Sequence, residues 1–179
     1  MKKFTLLLLL LLSACSSQPA VSYYQLPAVA PSVAHSKAPA VYIEPLQVAG
    51  YLNGRGLVLQ VSDVELVMAR QHLWAEALEQ QLQRQLRDLL AQGSNGFTAV
   101  LQPAAATPRL TVQLDRFHGQ PDGYAVVGGY FAVSNQPAMY AFNFRIALTS
   151  DGYPALVNAL AEGLQQLSVM IRTQLNTPV

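Results

Sequence analysis

Two stretches of the chain carry apolar side chains at helical spacing, and most of the remainder alternates or comes in short apolar runs. Ala75, Leu78, Leu82, Leu86, Leu89 and Leu90 recur three and four residues apart, with Glu76, Glu79, Gln80, Gln83, Arg84 and Arg87 on the other side. Gln81 and Asp88 are placed on that polar side as well, and the spacing predicts an amphipathic helix opened by Trp74, running to about Ala91 and closed by Gly93-Ser94-Asn95-Gly96. Tyr153, Val157, Leu160, Leu164, Leu167 and Ile171 repeat the pattern, with Pro154 near the first helical position, and predict a second long helix. Gly163 lies inside that second stripe at a cost of about 1 kcal/mol relative to alanine, which implies a close packing partner.

The strand candidates read differently. Ser22–Leu26 is short and aromatic, and Ala40–Val48 contains Pro45, which cannot donate to a ladder and places that strand at an edge or a bend. Leu57–Val61 and Val64–Met68 flank Ser62-Asp63, a hairpin turn signal. Phe97–Leu101 is a further short run. In Arg109–Leu114 the residues Leu110, Val112 and Leu114 alternate with polar neighbours, and Phe117 then breaks the phase, which predicts a bulge or the strand's end. Tyr124–Val133 is interrupted by Gly128-Gly129. From Ala138 to Thr149 the residues Tyr140, Phe142, Phe144, Ile146 and Leu148 share one face. Strands, helix, strands, helix in this order predict an α+β two-layer sandwich, a largely antiparallel sheet with two long helices packed on one face. Helical stripes laid over the Phe142 face would fill the core and leave no lipid-sized cavity.

The first residues, MKKFTLLLLLLLSAC, change the picture of where this domain works. Lys2 and Lys3 lead an apolar run from Phe4 to Leu12, about half of the ~20 residues a membrane span needs. The run therefore reads as a secretory signal rather than a transmembrane helix. Leu12-Ser13-Ala14-Cys15 resembles a bacterial lipobox, with cleavage between Ala14 and Cys15 and a diacylglycerol on the Cys15 thiol; the bland alternative is an ordinary signal with a chance cysteine. Cys15 is the chain's only cysteine and stands where that motif needs it. Several buried acyl chains, at about 0.8 kcal/mol per CH₂, make such an anchor effectively permanent. The expected organisation is a lipoprotein signal peptide at 1–14, a lipidated tether at 15–39 with a short strand at 22–26, and a single α+β domain at 40–179. Ser16 and Ser17 follow the cysteine, where an aspartate would favour the inner membrane, so the sorting rule of such lipoproteins implies the periplasmic face of the outer membrane.

Composition narrows the partners. With Lys2 and Lys3 removed, 11 Lys+Arg against 10 Asp+Glu become a near balance, so the chain has neither a basic footprint for nucleic acid nor a polybasic lipid-binding segment. Only 12% of residues are charged and 51% are hydrophobic, which implies surface covered by its own copies or a partner.

Catalytic patterns do not assemble. His35, His72 and His118 are scattered and form neither an HxH nor an HExxH pair, so no metal site is expected. There is no G-x-S-x-G elbow, Walker A loop or G-x-G-x-x-G turn. Gly128-Gly129 reads as a bulge or close strand crossing, and Asp115 and Asp122 as ordinary surface carboxylates. No enzyme and no cofactor beyond the covalent lipid on Cys15 are expected. Tyr51 and Leu52, in a glycine-flanked loop, are the candidate interface residues; the alternative is that they fold back over the sheet.

Several of these patterns together resemble one family. The lipobox at Cys15, Tyr24-Gln25-Leu26, Val48-Ala49-Gly50-Tyr51-Leu52, Leu57-Val58 with its hairpin, Leu73-Trp74-Ala75-Glu76-Ala77-Leu78 and the long C-terminal helix are similar to the PqiC family, the ABC-type transport auxiliary lipoproteins. Gly50 and Ala77 depart from it, since the family often has proline at both. The resemblance implies a non-enzymatic outer-membrane component of a trans-envelope phospholipid-transport system that supports envelope integrity. Its implied partner is a periplasmic MCE-domain protein (PqiB-like). The few surface charges and a tubular partner add the expectation of a cyclic homo-oligomer. Two other classes remain open at this point: an assembly lipoprotein for a secretin or lipopolysaccharide translocon, and an envelope hydrolase.

Overall fold

The computed structural model describes residues 20–30, 38–93 and 96–177. Nine strands and two long helices follow the order β1 (Ser22–Tyr24), β2 (Ala40–Ile43), β3 (Gln47–Val48), a 3₁₀ turn (Gly50–Asn53), β4 (Gly56–Gln60), β5 (Leu66–Trp74), α1 (Leu78–Leu90), β6 (Thr98–Ala99), β7 (Arg109–Gly119), β8 (Tyr124–Val133), β9 (Met139–Ala147) and α2 (Tyr153–Leu175).

The long strand β7 is the axis of the sheet. On one side it carries the antiparallel meander β7–β8–β9. On the other it is paired in succession by three parallel partners, β2 at Arg109–Leu110, β3 at Gln113–Leu114 and β4 at Gly119. β5 returns antiparallel to β4, and β1 adds outside β5 as a parallel edge, Ser22 beside His72 and Tyr24 beside Trp74. β6 lies beyond β2, again parallel. The long ladders are the expected antiparallel ones; five short parallel pairings make the sheet mixed. Those pairings join residues distant in the chain and leave no periodicity to read.

The phase break at Phe117 is a bulge. Leu114 pairs with Gly129 and Arg116 with Gly128, so Asp115 is the extra residue. Leu110, Val112 and Leu114 face the helices before it, and Phe117 faces them after it. Without the bulge Phe117 would point to the opposite face. At the bulge the strands come so close that a Cβ on Gly129 would collide with the Gln113 carbonyl, which explains the glycine.

Both helices cover one face. Leu82, Leu86 and Leu90 of α1 and Leu160, Leu164 and Leu167 of α2 are at most 1% exposed, over Leu110, Val127, Phe131 and Phe142 of the sheet. Phe142 and Ile146 of β9 are buried, whereas Phe144 and Leu148 are only half-buried at the sheet's margin. Arg172 near the end of α2 donates to the carbonyls of Gln92 (2.7 Å) and Leu89 (3.4 Å), adding a side-chain cap to the backbone bonds that close the C-terminus of α1.

Trp74 does not open the first helix. Its N–H donates to the Arg55 carbonyl at 2.6 Å and its own carbonyl accepts from the Arg55 guanidinium, so it ends β5 as a strand residue. Ala75 and Glu76 are turn residues, and α1 starts at Leu78, four residues later than a helix opened by Trp74. The side chain of Trp74 is core, 6.1 Å from the ring of Phe117.

The segment expected to be tether is bound to the domain across 22–30. Tyr24 Oη lies 3.0 Å from His72 Nδ1, and His72 stacks on Tyr153 at 3.9 Å, joining β1, β5 and α2. Leu26 is buried; its N–H donates to Gln81 Oε1 at 3.0 Å. Gln85 donates to the Pro27 carbonyl at 2.8 Å and Gln92 to that of Ala30 at 3.4 Å. Gln81, Gln85 and Gln92 thus line the groove of α1 with amides that fix an extended chain lacking sheet partners.

Candidate functional site

The helices leave the other face of the sheet open, and its centre is a polar trough of about 470 Å³. Arg116 comes from the bulge, His118 from the end of β7, and Asn143 and Arg145 from β9. Gly128 forms the floor, since a Cβ there would fall 2.9 Å from Arg116 Nε and 3.1 Å from Asn143 Oδ1. Arg145 lies over the Tyr124 ring at 3.7 Å, donates to Gln120 Oε1 at 3.1 Å and forms an ion pair with Asp122. Arg116 and Arg145 share the lining of the trough with Asp63, Glu65 and Asp115.

His118 is 3% exposed, with Nδ1 3.2 Å from the Gly119 carbonyl. Burial pushes its pKa below the ordinary value; the nearby Arg116 adds to this and the Gly119 carbonyl opposes it. Burial thus favours the neutral ring, and among the described residues no carboxylate is hydrogen-bonded to it to make a catalytic pair. Asp115 accepts from Gln113 at 2.8 Å while Asp122 serves Arg145, so these two carboxylates do not form an acid–base couple. Among the described residues no group of three His, Cys, Asp or Glu side chains is placed to hold a metal ion.

Tyr51 and Leu52 do not project together from their loop. The 3₁₀ turn folds them back: Leu52 is 2% exposed in the core, and Tyr51 donates its hydroxyl to the Asp115 carbonyl at 2.7 Å. Burial raises the Tyr51 pKa, partly offset by Arg116. Apolar character was legible in the loop; the carbonyl released by the bulge, which holds Tyr51 down, was not. Tyr51 forms one wall of the trough. Ala14, Cys15 and His35 lie outside the described residues.

Two more surfaces were not marked by sequence. Among the described residues β9 pairs with β8 alone, so its other edge presents backbone groups over nine residues without proline. A second groove, about 610 Å³, runs between α1 and the β2–β6 side of the sheet, with Tyr42, Leu46 and Leu101 among its walls. Neither has a periodicity that separates it from ordinary surface. The space between helices and sheet is filled by the side chains described above.

Comparison with known proteins follows this geometry closely. The family model for the ABC-type transport auxiliary lipoprotein component matches residues 24–172. "Intermembrane transport lipoprotein PqiC" of Escherichia coli (strain K12) is 36% identical over 157 residues, covering 84% of this chain and 84% of that protein, and the protein of the same name from Shigella flexneri matches equally. A crystal structure of an uncharacterized protein superposes with a TM-score of 0.77 at 32% identity, covering 88% of this chain and 100% of that one. Protein XCC0632 from Xanthomonas campestris superposes at 0.61 over 87% and 98% of the two chains, and at 16% identity it shows the shared fold alone. The matched region begins at Tyr24, in the strand that binds the N-terminal segment to the sheet.

Proposed function

We propose, from the premise that the chain belongs to the family of ABC-type transport auxiliary lipoproteins, that it is the outer-membrane docking component of an intermembrane phospholipid-transport system. The observation that carries this reading is the extent of the PqiC match, 36% identity over 84% of both chains. A covalent lipid on Cys15 anchors the domain at the periplasmic face of the outer membrane. Its partner is a periplasmic MCE-domain protein of the PqiB kind, and the domain acts there without catalysis or cofactor.

The geometry supports a docking part rather than a carrier. A filled core leaves the lipid no place between helices and sheet, so cargo would pass along the partner or through a shared lumen. The open sheet face with its trough and the β9 edge, unpaired among the described residues, are the surfaces offered for association. A β9 edge that continues the sheet into the next copy would give a cyclic homo-oligomer able to cap a symmetric tube.

Affinity capture of the full lipoprotein from detergent-solubilised envelopes tests this. Recovery of an MCE-domain protein, lost when Cys15→Ser prevents palmitate labelling and outer-membrane fractionation, is expected. Recovery of a secretin or an outer-membrane barrel in its place would overturn the assignment.

A further inference from the structure

Two large apolar side chains are almost wholly exposed, and they stand at opposite ends of the sheet. Val64, at the tip of the β4–β5 hairpin, is 96% exposed, and Leu101, just after β6, is 95% exposed. The hairpin meets β7 at Gly119, whereas β2, which carries β6, meets it at Arg109. Eleven residues of strand put these ends about 33 Å apart. Val61, Val67 and Met68 add partly exposed apolar surface at the hairpin end.

The N-terminal chain singles out one of these ends. β1 runs parallel to β5, with Ser22 beside His72, so the chain before Ser22 leaves on the side that leads back along β5 toward Leu66 and the hairpin tip. The seven residues from Cys15 to Ser22 span at most about 24 Å. Eight residues of strand, His72 back to Val64, cover about 26 Å. The fully extended chain brings Cys15 to within about 2 Å of the level of the hairpin tip, and the acyl group on it adds more than that length. Leu101 lies five strand positions across from β1, about 24 Å sideways, and at the other end of β7.

We propose that the β4–β5 hairpin tip is a second, non-covalent membrane contact, resting Val64 in the headgroup layer of a zwitterionic phospholipid surface. The proposal rests on the Cys15 anchor of the reading above. Asp63 and Glu65 flank Val64, and no Lys or Arg occurs between Val61 and Ala69; the two arginines that share the trough lining with this tip, Arg116 and Arg145, are outnumbered there by Asp63, Glu65 and Asp115, so the tip favours a zwitterionic over an anionic surface. The ammonium groups of phosphatidylethanolamine or phosphatidylcholine give the two carboxylates partners while Val64 leaves water. One valine is too little to bind a membrane alone. Held close by the acyl chains, it has only to orient the domain.

The test uses the full acylated chain with a single new thiol, Val64→Cys or Leu101→Cys, carrying an environment-sensitive fluorophore. Each is reconstituted into phosphatidylethanolamine/phosphatidylcholine vesicles containing lipids nitroxide-labelled near the headgroup, and the acyl mass on Cys15 is measured in the same samples. The Val64→Cys probe is expected to shift to the blue and be quenched, the Leu101→Cys probe to do neither, and added phosphatidylglycerol to weaken the quenching. A water-like, unquenched Val64→Cys probe on an acylated chain overturns the proposal and leaves the anchor standing. Equal quenching at both sites, or stronger quenching with phosphatidylglycerol, overturns it as well. A chain without acyl groups overturns the anchor reading, and the proposal with it.

Discussion

Gly163 of α2 and Val127 of β8 meet at a separation that leaves no room for a methyl group: a Cβ on the glycine would sit 2.5 Å from Val127 Cγ2 and 3.2 Å from Ile146 Cδ1. The glycine lets the helix lie directly on the sheet at its middle. Gly163→Ala gains about 1 kcal/mol of helix propensity and incurs about 1–3 kcal/mol of overpacking. The expected outcome is a net loss of stability, read as a lower urea midpoint, partly recovered in the Gly163→Ala/Val127→Ala double variant. A midpoint that rises in the single variant would contradict the packing described.

Leu52 is core and Tyr51 is held by one hydroxyl bond, which makes opposite demands on two neighbouring substitutions. Leu52→Ala should lower unfolding free energy by about 2–5 kcal/mol. Tyr51→Phe should cost about 0.5–1.5 kcal/mol. Were the pair a projecting anchor, Leu52→Ala would leave the melting curve in place and weaken partner capture instead.

The buried N–H of Leu26 depends on Gln81. In Gln81→Ala it loses its acceptor, at about 1–3 kcal/mol, and the chain from β1 to Ala30 loosens. Hydrogen exchange should show the Leu26 amide exchanging faster while amides in the middle of β8 keep most of their protection. Unchanged exchange at Leu26 would mean that water replaces the glutamine without loss.

His118 sets a pH response whose sign is fixed by its depressed pKa. The buried ring stays neutral in the fold, whereas the unfolded chain takes up a proton near the ordinary value of 6.5. Stability is therefore full above that value and declines as pH falls through it toward the folded-state pKa. Urea midpoints at pH 7.5 and 5 should differ more for the natural chain than for His118→Gln. Equal differences in the two proteins would remove His118 from the account.

Much of the fold was legible because burial on one face leaves a period. The stripe from Leu78 to Leu90 and the alternation from Tyr140 to Ile146 place α1 and β9 within a few residues of where they are. Misreading began where two periods overlap. Trp74, Ala75 and Leu78 have helical spacing by coincidence, while the backbone of Trp74 is committed to Arg55 across the hairpin. The trough was harder to see. Arg116, His118 and Asn143 come together only through the bulge at Asp115 and the register of β8, and both depend on backbone approach at Gly129.

The way β1 joins the domain has a mechanical consequence. With the proposed lipid on Cys15, a pull from the membrane would enter the domain at the N-terminal end of β1, along the strand and parallel to its bonded neighbour β5. Such a load shears the pairing, so its hydrogen bonds must yield together rather than unzip one by one. Behind them stand the ring of Tyr24 against His72 and the amides of Gln81 and Gln85. Force arriving from such an anchor would therefore pass through β1 into the body of the domain rather than peel a loosely held segment away from it.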